Sequence, residues 1–359
     1  MKRILTTHVG SLPTVDSVEA VVRRQREIGL DLINEGEHTK GGDWLSYVET
    51  RFGGFEPRAA PAGEPPLVAQ GRDRQTFADF YRYATERGTL FYAPGEQIKR
   101  VRPLWYCTGP VTYEGLDALE NEIRLLLAHA HPEEAFLTST APGSLEVYRR
   151  NEYYRSQDEF VYAIAEAMRV EYEAIVRSGV TLQVDDAWLP ALWDRIGLDM
   201  GLEAFRTYCT IRIDALNHAL RNVPQERVRY HLCWGSWHGP HAYDLELRFI
   251  VDLLLRVKAG AYLVEAANAR HEHEYTVWDE VKLPRGKVLI PGVVTHATDV
   301  IEHPELVARR IRRYAKRVGR DNVIAGADCG FGGRSHPQIA WAKLQSLVEG
   351  ARLASKTLY

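Results

Sequence analysis

The chain has 359 residues, 45% of them hydrophobic and 26% charged, an ordinary composition for a soluble globular protein. A formal net charge of −3 gives no reason to expect a nucleic-acid partner. No run approaches the roughly 18 apolar residues of a membrane span.

The opening, Met1-Lys2-Arg3-Ile4-Leu5, runs straight into strand-like sequence without a signal-peptide core, so a cytoplasmic protein is expected. Short β-branched or aliphatic runs start at residues 4–7 and 31–34. Residues 54–100 then break the pattern with Pro57, Pro61, Pro65, Pro66 and Pro94. An aromatic cluster follows them: Phe77, Phe80, Tyr81, Tyr83, Phe91 and Tyr92. This stretch reads as an insertion packed on a rim, or as a lid over a site. Further runs occupy residues 104–107 and 135–138. Val161, Ile164, Met168, Tyr172 and Ile175 then form one apolar helical stripe that Gly179 can cap. Runs at 181–184, 228–233, 262–265 and 288–292 precede a helix that opens at Pro304. Its stripe is Val307, Ile311, Tyr314 and Val318, and Gly319 ends it. The last run is 323–327.

Most of these runs are too hydrophobic to show one face to water, as in a parallel sheet covered on both sides. Unbroken strand–helix alternation predicts an α/β fold, a single (β/α)₈ TIM barrel over residues 1–359. Nine runs for eight strands leave one accessory, and 104–107 is assigned that place.

In such a barrel the chemistry sits at the C-terminal ends of the strands. Those ends carry His8 and Ser11, Glu37 and His38, Asp185 and Asp186, His231 and Cys233, Glu265, His296, and Cys329. His231 and Cys233 are two apart on a strand and project to one face. With Glu265 and Cys329 they offer an imidazole, a carboxylate and two thiolates, a donor set that favours Zn²⁺. The four cysteines, Cys107, Cys209, Cys233 and Cys329, are too scattered for a disulfide framework.

His231-Leu232-Cys233, the Glu265 of Val-Glu-Ala, and Asp328-Cys329-Gly330 resemble the zinc ligands of the catalytic barrel of cobalamin-independent methionine synthase. Val9-Gly10-Ser11-Leu12-Pro13, Gly36-Glu37 and Leu182-Gln183-Val184-Asp185-Asp186 are similar to further motifs of that family, in the same order. Short single-barrel members, epoxyalkane:coenzyme M transferase among them, look closer. They share Cys233-Trp234-Gly235, Gly239-Pro240, Arg270-His271-Glu272-His273-Glu274 and Glu302-His303-Pro304-Glu305. This chain departs at Asp185-Asp186-Ala187, where the family has Asp-Glu-Pro, and matches its histidine motif only loosely in Val294-Thr295-His296-Ala297-Thr298.

The resemblance implies zinc-dependent transfer of an alkyl group, methyl above all, to a thiol activated as its thiolate. The implied partners are a small-molecule thiol and an alkyl donor such as a tetrahydrofolate derivative. It sets Ser11, Glu37 and Asp185 against the substrate, with Asp185 also a candidate catalytic group. His296, or His8, is the candidate proton shuttle, and Arg270 suits a substrate carboxylate or sulfonate. His271 and His273 fit a second metal or, better, a rim loop. Alternatives are an epoxide-like electrophile with a thiol such as coenzyme M, a zinc hydrolase or lyase, and a non-catalytic zinc- or ligand-binding barrel.

Overall fold

The structure, a computed structural model, describes residues 2–41, 44–59, 61, 63–64, 67–93, 103–235 and 237–359. Ten strands lie within them. They are β1 (Leu5–Thr6), β2 (Phe52–Arg58), β3 (Leu104–Tyr113), β4 (Phe136–Thr140) and β5 (Arg149–Asn151). After these come β6 (Thr181–Asp186), β7 (Val228–Leu232), β8 (Ala261–Val264), β9 (Val288–Val294) and β10 (Ile324–Ala327).

Seven of them form one sheet in the order β1-β10-β9-β8-β7-β6-β4, every neighbouring pair parallel. Residues 31–34 complete the ring. The Asp31 and Leu32 N–H groups donate to the Thr6 carbonyl at 3.1 and 3.0 Å, and Ile33 N–H donates to the Glu134 carbonyl at 2.9 Å. The fold is the expected (β/α)₈ barrel, with the same architecture as the TIM barrel. Burial explains the composition of the strands: every residue of β4 and β7 is buried, as helices outside and packing inside require.

Alternation along the strands stacks the interior in layers. Val9, Leu263 and Ile290 form an apolar cluster with Ala261, Val288 and Ile324. In β6 and β7, Gln183 pairs in register with Arg229, and Asp185 with His231. The polar pairs stand beside that apolar cluster around the ring, Arg229 pairing in register with Ala261 and His231 with Leu263, and Asp185 and His231 lie near the C-terminal ends of their strands.

Ser156 caps helix Gln157–Arg177 by accepting from Glu159 N–H at 3.1 Å, and the predicted stripe is buried along it. Gly179 follows at φ 87°, the left-handed conformation that ends a helix. Helix Pro304–Val318 starts at its proline, with Gly319 as its C-cap.

The run at 104–107 is accessory, as expected. It grows into β3, which pairs antiparallel with β2 and parallel with β5 in a second sheet. Sequence reading assigned neither β2 nor β5. The first carries two glycines and Pro57, signals that weaken a strand, and the second is a polar Arg-Arg-Asn.

Beyond β2, the inserted segment forms helices Arg72–Thr76 and Ala78–Arg87. Of its named residues, Pro65, Pro66 and Pro94 lie outside the described residues. Tyr81, Ala84 and Leu90 pack with Trp237 from the loop after β7, and Trp237 Nε1 donates to Tyr81 Oη at 2.9 Å. His238 N–H donates to the Leu90 carbonyl at 2.7 Å, and Ala93 N–H to the Gly333 carbonyl at 2.8 Å. The insertion thus bridges the loops after β7 and β10. Among the described residues, no helix is long and apolar enough to cross a membrane.

Candidate metal centre

His231 is the penultimate residue of β7, and Cys233, just beyond the strand, continues the same face of the chain two residues on. Cys329 arrives from the loop after β10. The imidazole and the two sulfurs lie within 4.8 Å of one another, and the two sulfurs are 3.8 Å apart. None of the four cysteines is in a disulfide. Two thiolates each about 2.3 Å from a tetrahedral zinc stand roughly 3.8 Å apart. The sulfurs already have that spacing.

The histidine is oriented from behind. Asp185 Oδ1 accepts from His231 Nδ1 at 2.9 Å, and the same oxygen accepts from Gln183 Nε2 at 2.7 Å. That contact follows from the β6–β7 register. It leaves Nε2 buried and without a partner, and a buried orphan nitrogen beside two sulfurs is the lone pair a metal would take. Burial works against protonation of His231, but Asp185, Cys329 and Glu265 outweigh it and lift its pKa to about 8.

Glu265 lies just beyond β8, outside that three-residue group. Its Oε1 accepts from Trp234 N–H at 2.9 Å and its Oε2 from Asn268 Nδ2 at 2.8 Å. Burial pushes its carboxyl up to about 7, against the pull of the nearby His271 cation. A carboxylate oxygen keeps a further lone pair after accepting one hydrogen bond, so these contacts aim Glu265 without using up its donor capacity. Asp328 ties the site together. Its Oδ1 accepts from Ala266 and Ala267 N–H at 2.7 and 2.8 Å, and its Oδ2 from Asn268 Nδ2 at 3.1 Å. A Cβ at Gly292 would stand 2.1 Å from Asp328 Oδ1, so only glycine allows this approach.

Ser11 and Glu37 also reach the mouth. The Ser11 carbonyl accepts from Phe331 N–H at 2.9 Å, and a Cβ on Gly330 would lie 2.0 Å from Ser11 Oγ. The hydroxyl therefore rests against the residue next to Cys329. Glu37 is buried in a left-handed backbone conformation, φ 58°, that a non-glycine residue rarely holds away from a functional site. Its Oε1 accepts from Thr138 Oγ1 at 3.1 Å. Burial raises its pKa to about 8, with Lys40 pulling down and the neighbouring Asp185 pushing up.

The remaining candidates separate. His8 is buried with its Nε2 against Gln25 Oε1 at 2.7 Å and its ring edge-on to Phe136; burial drives its pKa down to about 3. It belongs to the packing under helix Val18–Ile28. Arg270 is exposed and donates to the Ala242 carbonyl at 2.9 Å. His296 is 2% exposed, with its pKa well below the usual value through burial and nearby cations.

His273 is exposed, whereas His271 is buried between two carboxylates, Glu274 at 2.9 Å from Nδ1 and Asp244 at 3.1 Å from Nε2. Both of its nitrogens are thus engaged. Sequence reading missed Gln183, Asn268 and the orienting use of Asp328. Gln183 and Asp328 lie within the quoted motifs Leu182-Gln183-Val184-Asp185-Asp186 and Asp328-Cys329-Gly330, which do not disclose their orienting use, and no motif signals Asn268. A cleft of about 830 Å³ opens around the N-terminal ends of β1 and β10, among Arg3, Asp31, Arg320 and Arg352, and holds no residue of the cluster.

The parallel barrel with an imidazole and two sulfurs at its mouth matches a known family. Residues 146–353 fit the family model described as "Cobalamin-independent synthase, Catalytic domain", and the chain belongs to that family. The match takes in Asp185, His231, Cys233, Glu265 and Cys329 but not Ser11 or Glu37.

Among relatives, a methionine synthase of Thermococcus kodakarensis is 23% identical over 220 residues, 61% of this chain and 57% of that protein. A 2-hydroxypropyl-CoM lyase of Xanthobacter autotrophicus is 24% identical over 372 residues, 96% of this chain and 85% of that one. In fold, the chain superposes on a B12-independent methionine synthase from Shewanella sp. W3-18-1. The TM-score is 0.72 over 99% of both chains, at 17% identity.

Proposed function

We propose that this chain, as one catalytic domain over residues 1–359, transfers an alkyl group, most readily methyl, to a small-molecule thiol with the help of Zn²⁺. His231, Cys233 and Cys329 would hold the metal, with Glu265 as fourth ligand. The observation that carries the reading is the buried, unpartnered His231 Nε2 beside two sulfurs 3.8 Å apart. Bound there, Zn²⁺ would deprotonate a substrate thiol, whose free pKa is roughly 8.5, and keep it as a nucleophilic thiolate at neutral pH.

The chain's own groups do the rest. Asp185 holds the proton of His231 on Nδ1, so Nε2 is the nitrogen that would give up its proton and offer its lone pair to the metal. Asn268 and the Trp234 N–H hold the Glu265 carboxylate, which lies outside the three-residue group and would turn to the metal as its fourth ligand. Glu37 and Ser11 line the mouth beside Asp185 and Cys329, where they would receive the polar end of the thiol substrate. His296, whose pKa burial and nearby cations hold well below the usual value, would be the group that passes a proton to the leaving group.

A second reading keeps the thiol chemistry and changes the electrophile to a strained ether such as an epoxide. The full-length likeness to the 2-hydroxypropyl-CoM lyase favours it as much as the methionine synthase matches favour methyl. A tetrahydrofolate derivative is the methyl donor under the first reading only.

Zinc-edge X-ray absorption tests the shared chemistry. Adding homocysteine or coenzyme M to the zinc-loaded protein should add one sulfur to the metal shell. An unchanged shell with both thiols, in protein that still turns over, would refute the thiolate mechanism.

A further inference from the structure

A second polar cluster lies at the same mouth. His238, in the loop after β7, faces His296, in the loop after β9, with ring centroids 6.3 Å apart and planes tilted by 37°. Nδ1 of His296 and Nε2 of His238 are both buried and have no hydrogen-bond partner. Leaving one such atom unmatched costs about 1–3 kcal/mol, so two of them on neighbouring rings from different loops call for a ligand. Both residues are anchored through their backbones: the His238 main-chain N–H donates to the Leu90 carbonyl, and the His296 carbonyl accepts from Ser335 Oγ at 3.4 Å.

The charge of the surroundings identifies the ligand's class. Arg334, half-buried in the loop after β10 with its guanidinium over Phe91, acts on both rings, and His241 adds positive charge; Asp299 is an acidic neighbour of His238. A cation would be repelled there. Two neutral imidazoles, each free to place its one N–H on the unmatched nitrogen, present two donors beside a guanidinium. That set suits an oxygen-bearing anion.

We propose that His238, His296 and Arg334 form a binding cradle for an oxyanionic group of a substrate, a carboxylate, sulfonate or phosphate. The assignment to substrate rests on the reading of this mouth as a thiol alkyltransferase site; the anion binding itself does not. The arginine for this task is Arg334 in place of Arg270, which is exposed and faces the Ala242 carbonyl.

The test is nitrogen NMR of the histidine rings in the zinc-loaded protein, titrated separately with acetate, methanesulfonate and inorganic phosphate. His238→Gln and His296→Gln assign the resonances. At least one anion should shift both rings saturably, and Arg334→Gln should weaken that binding about tenfold, as loss of one charge-assisted bond does. The anion bound best names the group. If no anion moves either ring, or if Arg334→Gln binds as well as the parent, the cradle does not exist. Should binding survive while metal-free protein transfers alkyl groups at full rate, the cradle stands and the zinc mechanism falls.

Discussion

Asp185 touches His231 and not the position a metal would take, so its effect should appear in affinity before it appears in chemistry. Asp185→Asn keeps the shape but loses the charge that fixes the imidazole. Zinc affinity should fall about 10–100-fold in competition with a chromogenic chelator, the usual size of such an effect.

His271 makes a different prediction. Burial opposes its protonation, but hydrogen bonds to Asp244 and Glu274 prevail and raise its pKa to about 10. Asp244, opposed in turn by burial, is pulled down to about 2 by His241 and His271. A folded-state pKa raised above the unfolded value of 6.5 contributes stability that is complete below pH 6.5 and lost as pH rises through 10. His271→Gln should therefore destabilise by about 3 kcal/mol at neutral pH, as breaking a buried pair does. Urea unfolding should show the gap to the parent narrowing toward pH 10.

At the scale of elements, the site depends on strands approaching one another more closely than side chains normally permit. Gly292 in β9 admits Asp328, which in turn gathers the backbone N–H groups of Ala266 and Ala267 beyond β8. The added methyl of Gly292→Ala would meet Asp328 backbone at 2.7 and 2.8 Å as well as its carboxylate, so no side-chain rotation relieves it. We expect a loss of about 1–3 kcal/mol, the range for an overpacked core. Zinc binding should weaken too, because Asn268 then loses Asp328 while still holding Glu265. Differential scanning calorimetry with and without metal measures both effects.

Elements also set what the sequence can reveal. His231 and Cys233 were legible because strand geometry alone puts positions two apart on one face, and β7 is a strand. The eight barrel runs were legible because burial on both faces writes near-continuous hydrophobicity. The pairing of His238 with His296 was not, since two loops after different strands share no period. The contact of Arg270 with the Ala242 carbonyl was not legible either, because a guanidinium beside a motif indicates a charge and only the path of the loop decides where it points. The β2–β3–β5 sheet stayed hidden behind its glycines and the polar run of β5.

For the molecule as a whole, metal binding and folding should be coupled. The candidate ligands come from β7, from just beyond β8 and from the loop after β10, and the insertion is hydrogen-bonded to the loops after β7 and β10. A metal that binds the folded chain and not the unfolded one stabilises it by mass action, about 2.7 kcal/mol at a hundred times Kd. Stripping zinc should lower Tm by several degrees, and Cys329→Ser should abolish that difference while leaving the metal-free Tm close to the parent's.

The pairing of β1 with β10 bears on how the protein is made. β10 is the strand that docks against β1, and the loop after it delivers Cys329. During synthesis, a ribosome-bound chain that has emerged only through β9 has neither a closed ring nor a full set of donors. Closure of the barrel and completion of the candidate metal shell then depend on the same late segment. A metal bound by the full candidate set would report a chain synthesised past β10, with the partner of β1 in place.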